Sequence, residues 1–253
     1  MNILFIGDSL IKGTVGVNWV KWLATKNPGW TVENAGENGA TLSQIKSGLD
    51  KKLEKASYDI IFFEGGLNDL LLPALKEKGF LFGLANRLSG KSKQFYEKPA
   101  DFENAYRAAI EDIKNKTGAT IILSTLGCIS ENLEFDLNKK RCAYNDIIRD
   151  VAIETGCGLV DAGALFDGYL RRCRTRDYFM ESFWNAACLD KFQCSVMNCP
   201  DHLSKKRGLH LTIDGVHLNS RGANIFRDET ERLIKSLVNC CASDRNSSMA
   251  FSK

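Results

Sequence analysis

The stretch NILFIGDSLIKGT, residues 2–14, joins a short apolar run to a glycine turn and then to a helical pattern. Its apolar part, Ile3 to Ile6, is too short for a typical helix and is bounded by polar residues, so it predicts a buried strand. Runs of the same kind follow at residues 30–35, 59–64, 120–124 and 158–161. The chain therefore contains five predicted strands.

Amphipathic segments lie between these runs. Phe102, Tyr106, Ile110 and Ile113 recur at the spacing of one helix face. Residues 43–55, 144–155 and 223–238 show a similar spacing. Strands that alternate with helices indicate a parallel sheet covered by helices on both faces, so the sequence predicts the α/β class.

Composition excludes several functional classes. The 253 residues are 44% hydrophobic and 26% charged, which favours a globular protein with a real core. The net charge of +3, from 34 basic and 31 acidic residues, is too balanced to indicate a nucleic-acid binder. No run approaches the ~20 apolar residues of a membrane-spanning helix, so we expect no stable membrane insertion. Nothing in the sequence indicates the oligomeric state.

The domain organisation is predicted as one domain over residues 1–241, followed by a disordered tail at 242–253. Two long stretches, at about 70–98 and 166–207, read as insertions into the minimal α/β pattern. Long insertions in compact domains often form lids or binding loops. Surface decoration or an oligomer contact is the alternative, and the sequence does not separate the two.

Nine cysteines are many for a cytosolic enzyme. The cluster Cys173, Cys188, Cys194 and Cys199 is consistent with disulfides, with a metal site near His202, or with reduced thiols. Its spacing lacks paired C-x-x-C motifs, which disfavours a metal site. No basic leader with a long apolar segment is visible, so we expect a cytoplasmic protein. Secretion is the alternative if a leader has been removed or the cysteines form disulfides.

Chemistry is expected at the carboxyl ends of the strands, where open parallel sheets bind their ligands. Ser9 follows the first strand and Gly7, in a turn that can expose a nucleophilic hydroxyl. Of the three histidines, His217 has a carboxylate three residues earlier, at Asp214, which can orient and stabilise an imidazole base. Taken singly, each motif is also typical of an ordinary turn or helix cap.

Four short blocks together carry a resemblance. They are Gly7-Asp8-Ser9-Leu10, then Gly39, then Gly66-Leu67-Asn68-Asp69, and finally Asp214-Gly215-Val216-His217. In this order the chain resembles the SGNH (GDSL) hydrolase family over positions 7–217. No G-x-S-x-G motif surrounds Ser9, which distinguishes it from the α/β-hydrolases. The resemblance implies a flavodoxin-like, three-layer α/β/α fold with a central five-stranded, mostly parallel sheet.

The resemblance also implies serine-dependent ester hydrolysis without a metal or an organic cofactor. Ser9 would be the nucleophile, His217 the base and Asp214 its orienting partner. The oxyanion hole would consist of the Ser9 N–H, the Gly39 N–H and the Asn68 side chain. Gly36 also follows the second strand, but Gly39 lies two residues before Thr41, as the family pattern requires.

The substrate class stays open at this point. A small ester or acetylated carbohydrate competes with a lysophospholipid or another acyl ester, and the apolar stretch 70–88 slightly favours an acyl chain. A binding domain of the same fold, which would use its insertions to hold a glycan or a protein, is the alternative from another class. Such a binder would need neither Ser9 nor His217.

Overall fold

The core is a five-stranded parallel sheet with the order β2-β1-β3-β4-β5. The computed structural model describes residues 1–78, 94–176, 178–179 and 200–250. The strands are β1 (Asn2–Ile6), β2 (Thr31–Asn34), β3 (Ile60–Phe63), β4 (Thr120–Ser124) and β5 (Gly158–Val160). All five lie where the apolar runs predicted them, and the order is that of flavodoxin-like sheets.

Strand β1 is central because it pairs with β2 on one side and with β3 on the other. Ile3 to Phe5 have no solvent-exposed surface, as expected for a strand that helices cover on both faces. The strand order reverses between β1 and β3, which is where a crevice forms at the carboxyl edge of such sheets. The predicted α/β fold with a parallel sheet is confirmed.

The helices occupy the connections between the strands and the end of the chain. They are α1 (Ser9–Lys12), α2 (Trp19–Lys26), α3 (Leu42–Leu53), α4 (Leu67–Lys78), α5 (Pro99–Lys116), α6 (Asp136–Thr155), α7 (Ala162–Leu170), α8 (Pro200–Arg207) and α9 (Ser220–Ala250). Helices α3, α5 and α6 pack in one series, whereas α2, α7 and α9 pack in another. The sheet lies between them, which gives three layers.

Aromatic side chains fill the layer beneath α2 and α9. Trp19 is completely buried, and its ring lies 5.5 Å from the rings of Phe5 and Phe62 and 5.6 Å from that of Phe226. Its indole N–H donates a hydrogen bond to the Leu10 carbonyl at 3.1 Å. The core therefore reaches the turn that carries Ser9.

The first predicted insertion begins later than the sequence indicated. Residues 70–78 continue α4, and Leu70, Leu71 and Leu75 are buried in the main core. Pro73 lies inside this helix. Residues 79–93 lie outside the described residues, and 94–98 lead into α5.

The second predicted insertion also begins later, because Phe166 belongs to α7 and is completely buried. Residue 177 and residues 180–199 lie outside the described part of the chain, so the predicted lid stays a prediction. Tyr178 packs against the Asp214–His217 segment, since a Cβ at Gly215 would lie 2.9 Å from its carbonyl oxygen.

The structure describes the end of the chain and part of the cysteine cluster. Helix α9 continues to Ala250, so residues 242–250 are helical where the sequence predicted a disordered tail. Cys173 carries a free thiol. Cys188, Cys194 and Cys199 lie outside the described residues. In the described part of the chain, no helix is both long and apolar enough to cross a membrane.

Candidate active site

Ser9 lies at the carboxyl end of the central strand. Strand β1 ends at Ile6, and Ser9 begins α1 after the turn at Gly7 and Asp8. The Asp8 carboxylate caps this short helix by accepting a hydrogen bond from the Leu10 N–H at 2.8 Å. Ser9 is only 8% exposed, so little of it is in contact with bulk water.

The three residues predicted to be catalytic are hydrogen-bonded in series. The Ser9 Oγ lies 3.0 Å from His217 Nε2, and His217 Nδ1 lies 2.6 Å from Asp214 Oδ2. The other two histidines lie elsewhere: His202 is exposed on α8, and His210 Nε2 lies 3.1 Å from the Arg174 carbonyl. An arrangement of this kind can move the serine proton to an imidazole whose opposite nitrogen is held by a carboxylate.

Asp214 is oriented by its own segment of chain. Its Oδ1 accepts the backbone N–H groups of Val216, at 3.0 Å, and of His217, at 2.8 Å. Burial by itself would raise the pKa of Asp214, but the charge and the hydrogen bonds of His217 outweigh burial and hold that pKa below its ordinary value. Asp214 therefore stays charged and can stabilise an imidazolium.

The loops after β2 and β3 meet the Ser9 turn through Asn68. The Asn68 Nδ2 donates to Asp8 Oδ2 at 2.9 Å and to the Ala40 carbonyl at 3.0 Å. Three strand-end loops therefore converge on one amide group. Both of its N–H hydrogens are engaged by the protein itself.

The two glycines after β2 have different structural tasks. Gly36 packs against α1, because a Cβ there would lie 2.3 Å from the Lys12 nitrogen. Gly39 precedes Ala40 and has a φ of +67°, a left-handed conformation that glycine adopts without strain. The predicted oxyanion donor Gly39 thus lies in the loop that contacts Asn68.

Two buried carboxyl groups stand behind the Ser9 turn. The Glu64 Oε2 accepts the Asp8 N–H at 3.2 Å, and both side chains are buried. Burial, and then the nearby Asp8 charge, raises the pKa of Glu64 well above its ordinary value. Burial likewise raises the pKa of Asp8, to about 6, and its Oδ2 accepts the Asn68 amide.

Asp69 ties the same region to its neighbours. Its Oδ2 accepts the Leu42 N–H at the start of α3 at 2.9 Å, and its Oδ1 accepts the Tyr96 N–H at 3.2 Å. Burial raises the pKa of Asp69 to about 7, in spite of these two donors. The Asp69 carboxyl therefore links the loop after β3 to the start of α3 and to the segment that leads into α5.

Sequence reasoning gave no role to Asp8 beyond its motif and overlooked Glu131 entirely. Glu131 follows β4, lies buried, and accepts hydrogen bonds from residues 210–212. The rule that ligands bind after parallel strands could have drawn attention to it, because the loop after β4 is also a strand-end loop. In the described part of the chain, no cluster of three or more metal-ligating side chains occurs.

Sequence comparison identifies the family of the chain. The model of the GDSL-like lipase/acylhydrolase family matches residues 5–225, a span that includes Ser9, Asn68, Asp214 and His217. The chain belongs to this family. This GDSL-like protein is therefore a carboxylic ester hydrolase, as the resemblance implied. A comparison with curated protein sequences gives no significant match.

Solved structures share the fold of this GDSL-like hydrolase. The acetyl xylan esterase AlAXEase superposes with a TM-score of 0.63 at 18% identity, covering 92% of this chain and 98% of that one. The acetylxylan esterase Axe2 from Geobacillus stearothermophilus, in a catalytic mutant, gives 0.61 at 20%, covering 92% and 93%. LAE5, an alpha/beta hydrolase enzyme from the metagenome of Lake Arreo, Spain, gives 0.60 at 18%, covering 90% and 92%.

Proposed function

We propose that Ser9 is the nucleophile of this esterase, His217 its general base and Asp214 the residue that orients the base. The observation that carries the proposal is the unbroken series of hydrogen bonds, 3.0 Å from Ser9 to His217 and 2.6 Å from His217 to Asp214. The catalytic mutants of Axe2 replace a serine, an aspartate and a histidine, of which the last two lie three positions apart. Asp214 and His217 have the same spacing.

The reaction proceeds in two halves. The Ser9 Oγ attacks the ester carbonyl while its proton passes to His217 Nε2, and the Asp214 carboxylate stabilises the imidazolium. The tetrahedral intermediate collapses as His217 protonates the departing alcohol, which leaves an acyl group on Ser9. Water then repeats the attack with His217 as base, and the carboxylic acid and the free serine are released.

The charge on the tetrahedral oxygen requires hydrogen-bond donors. We assign the N–H groups of Ser9 and Gly39 and the Asn68 amide to this task. Asn68 donates to the Ala40 carbonyl and to Asp8, so the oxyanion must replace or share the Ala40 bond. The hydrogen bond to Asp8 then keeps the Asn68 amide in position, which is the role we assign to the aspartate of the motif.

For the substrate we propose an acetyl ester of a carbohydrate. Two of the solved structures with this fold are described as acetylxylan esterases. Leu70, Leu71 and Leu75 belong to the core, so these three side chains are not available to line an acyl pocket. Beside Gly39, Asn38 and Thr14 join their polar side chains at 3.0 Å, which favours a hydroxyl-rich alcohol over a lipid.

The test is hydrolysis of p-nitrophenyl esters from acetate to palmitate, together with acetate release from acetylated xylooligosaccharides. Ser9→Ala and His217→Ala should each reduce kcat by at least about 10³-fold. His202→Ala is the control, since His202 is exposed on α8, and it should retain the parental rate. Rates that increase with chain length would assign a lysophospholipid or another acyl ester instead. Parental activity of Ser9→Ala would contradict the assigned nucleophile.

A further inference from the structure

The segment that carries the base has little regular structure. We call residues 208–219 the base loop. In it the structure contains only an isolated bridge between Thr212 and Leu218. Nevertheless Asp214 is 1% exposed and His217 is 8% exposed. Contacts other than a strand ladder must therefore hold this loop against the Ser9 turn.

Glu131 supplies the densest set of these contacts. Its Oε1 accepts the backbone N–H groups of Leu211, at 2.7 Å, and of Thr212, at 2.8 Å, as well as the Thr212 hydroxyl at 2.8 Å. Its Oε2 accepts the His210 N–H at 2.7 Å. Four donors on three consecutive residues thus converge on one buried carboxylate, and hydrogen bonds to an ionised acceptor are the stronger kind.

A second contact extends this hold to the catalytic residues themselves. The Thr212 hydroxyl, which donates to Glu131, accepts the Gly215 N–H at 3.1 Å. The Gly215 carbonyl in turn accepts the Ser130 N–H at 2.8 Å. Ser130 has a φ of +66°, a left-handed conformation that surrounding structure must maintain in a residue other than glycine. Thr212 lies before Asp214 and Gly215 directly after it, so these hydrogen bonds hold the loop on both sides of Asp214.

The loop of Glu131 is itself anchored on α6. The Asn138 Nδ2 donates to the carbonyls of Ser130, at 2.9 Å, and of Asn132, at 2.8 Å. Arg141 is buried and donates to the Leu126 carbonyl at 3.1 Å and to Asp167 at 2.6 Å. The carboxylate is therefore held by a helix that packs on the sheet, and not by a free loop.

We propose that Glu131 is a positioning residue that sets the distance between His217 Nε2 and Ser9 Oγ; this inference rests on the function proposed above. Asp214 and His217 lie on the same loop, so their mutual hydrogen bond moves with that loop. Ser9 belongs to the β1–α1 turn, whose position is fixed by the sheet. The proton-transfer distance therefore depends on what fixes the base loop, and a displacement of about 1 Å at such a distance can reduce the rate about 10²-fold.

The experiment compares Glu131→Ala, Glu131→Gln and Thr212→Val with the parent, measuring kcat and KM for p-nitrophenyl acetate and the rate of fluorophosphonate labelling. We expect Glu131→Ala to reduce kcat about 10²-fold with KM within threefold, and to slow labelling in parallel. Glu131→Gln should recover part of the rate, because an amide oxygen still accepts two or three donors while its NH₂ faces the His210 N–H. Thr212→Val should reduce kcat three- to tenfold.

Two readouts separate positioning from general destabilisation. The hydrogen-bonded imidazole proton of His217, observed by ¹H NMR, should persist in Glu131→Ala, because Asp214 and His217 remain on one loop. Glu134→Ala is the matched control, since Glu134 is exposed and lies three residues further along the same loop. It should retain the parental kcat.

The outcomes are distinct. A kcat of Glu131→Ala within threefold of the parent overturns the proposal, and so does a loss that only follows the folded fraction measured by circular dichroism. If Glu131→Ala does not fold, parental kcat in both Glu131→Gln and Thr212→Val overturns it. A fully active Ser9→Ala would instead overturn the proposed function. An inactive Ser9→Ala beside a fully active Glu131→Ala would leave that function intact and remove only the role of Glu131.

Discussion

The two sides of the active site are built by different kinds of interaction. Ser9 follows the central strand of the sheet, beneath which the Trp19 ring packs against Phe5 and Phe62. His217 lies on an irregular loop that buried side chains hold by hydrogen bonds, with Glu131 foremost. The proposed nucleophile therefore lies beside a strand packed in the apolar core, with Asp8 hydrogen-bonded to Glu64 and Asn68, whereas the proposed base lies on a loop held by a polar network. Removing a buried polar partner leaves its donors unpaired, so we expect the base side to be the more sensitive of the two.

The largest effect on the base side should come from Asp214→Asn. The amide preserves the shape of the side chain but no longer stabilises the imidazolium or fixes its tautomer, so kcat should fall about 10³–10⁴-fold. The measurement is kcat for p-nitrophenyl acetate at pH 8. Asp136→Asn, at an exposed position of α6, should leave kcat unchanged. A loss of less than tenfold in Asp214→Asn would argue that the polar network matters less than its geometry suggests.

Asn68→Ala tests the contact between the strand-end loops. Removal of one oxyanion donor should lower kcat about 10²–10³-fold with little change in KM. Asn104→Ala, at an exposed position of α5, is the control. A rise in KM with an unchanged kcat would show that Asn68 binds the substrate in its ground state and not the developing charge.

The pH dependence of stability should depend on Asp69. Burial raises the pKa of Asp69 to about 7, whereas an unfolded aspartate has a pKa of about 3.9. Between these values the folded state binds the proton more tightly, so the free energy of unfolding falls as the pH rises through this window, by about 4 kcal/mol between pH 4 and pH 8.

The corresponding measurement is urea unfolding of the parent and of Asp69→Asn at pH 4 and pH 8. The variant is neutral at both values and should show a smaller loss of stability with rising pH. Asp136→Asn again removes an exposed carboxyl for comparison. An identical pH slope in the parent and in Asp69→Asn would contradict the predicted contribution.

Trp19→Phe should have the smallest effect on activity. It removes the indole bond to the Leu10 carbonyl and part of a buried ring, which should cost about 2 kcal/mol of stability. Because the strand ladder still fixes the Ser9 turn, kcat should stay within threefold of the parent. Trp22→Phe, a half-exposed position on the same helix, controls for loss of an indole ring. A tenfold fall in kcat of Trp19→Phe would show that the Ser9 side of the site is as sensitive as the His217 side.

Local patterns in the sequence were sufficient to predict the sheet and the residues that converge on it. Each strand is a short apolar run, and Ser9, Asn68 and His217 each lie in a short motif. Glu131 could not be found in this way, because its hydrogen-bond partners lie about 80 positions further along the chain. A buried carboxylate and an exposed one look alike in a sequence, since only the tertiary fold decides which donors surround it.

Helix ends were harder to predict for a related reason. Residues 242–250 are polar and read as a tail, yet α9 continues through them. Residues 70–78 belong to a helix whose buried leucines pack into the core, although the stretch was predicted to be part of an insertion. In both places the continuation of a preceding helix decided the outcome, and the local composition did not.

In the mechanism proposed above, the Ala40 carbonyl competes with the substrate for the Asn68 amide, to which it is hydrogen-bonded in the free enzyme. The neutral carbonyl oxygen of a bound ester accepts a hydrogen bond about as well as the Ala40 carbonyl does, so an exchange of one for the other adds little to the affinity for the ester. An oxygen that has gained negative charge is a much stronger acceptor, so the Asn68 N–H then donates to it in place of the Ala40 carbonyl. The Ala40 carbonyl thus occupies the Asn68 N–H while the neutral ester is bound and is replaced in the transition state. The Asn68 hydrogen bond therefore stabilises the transition state more than the bound ester, which raises kcat without lowering KM.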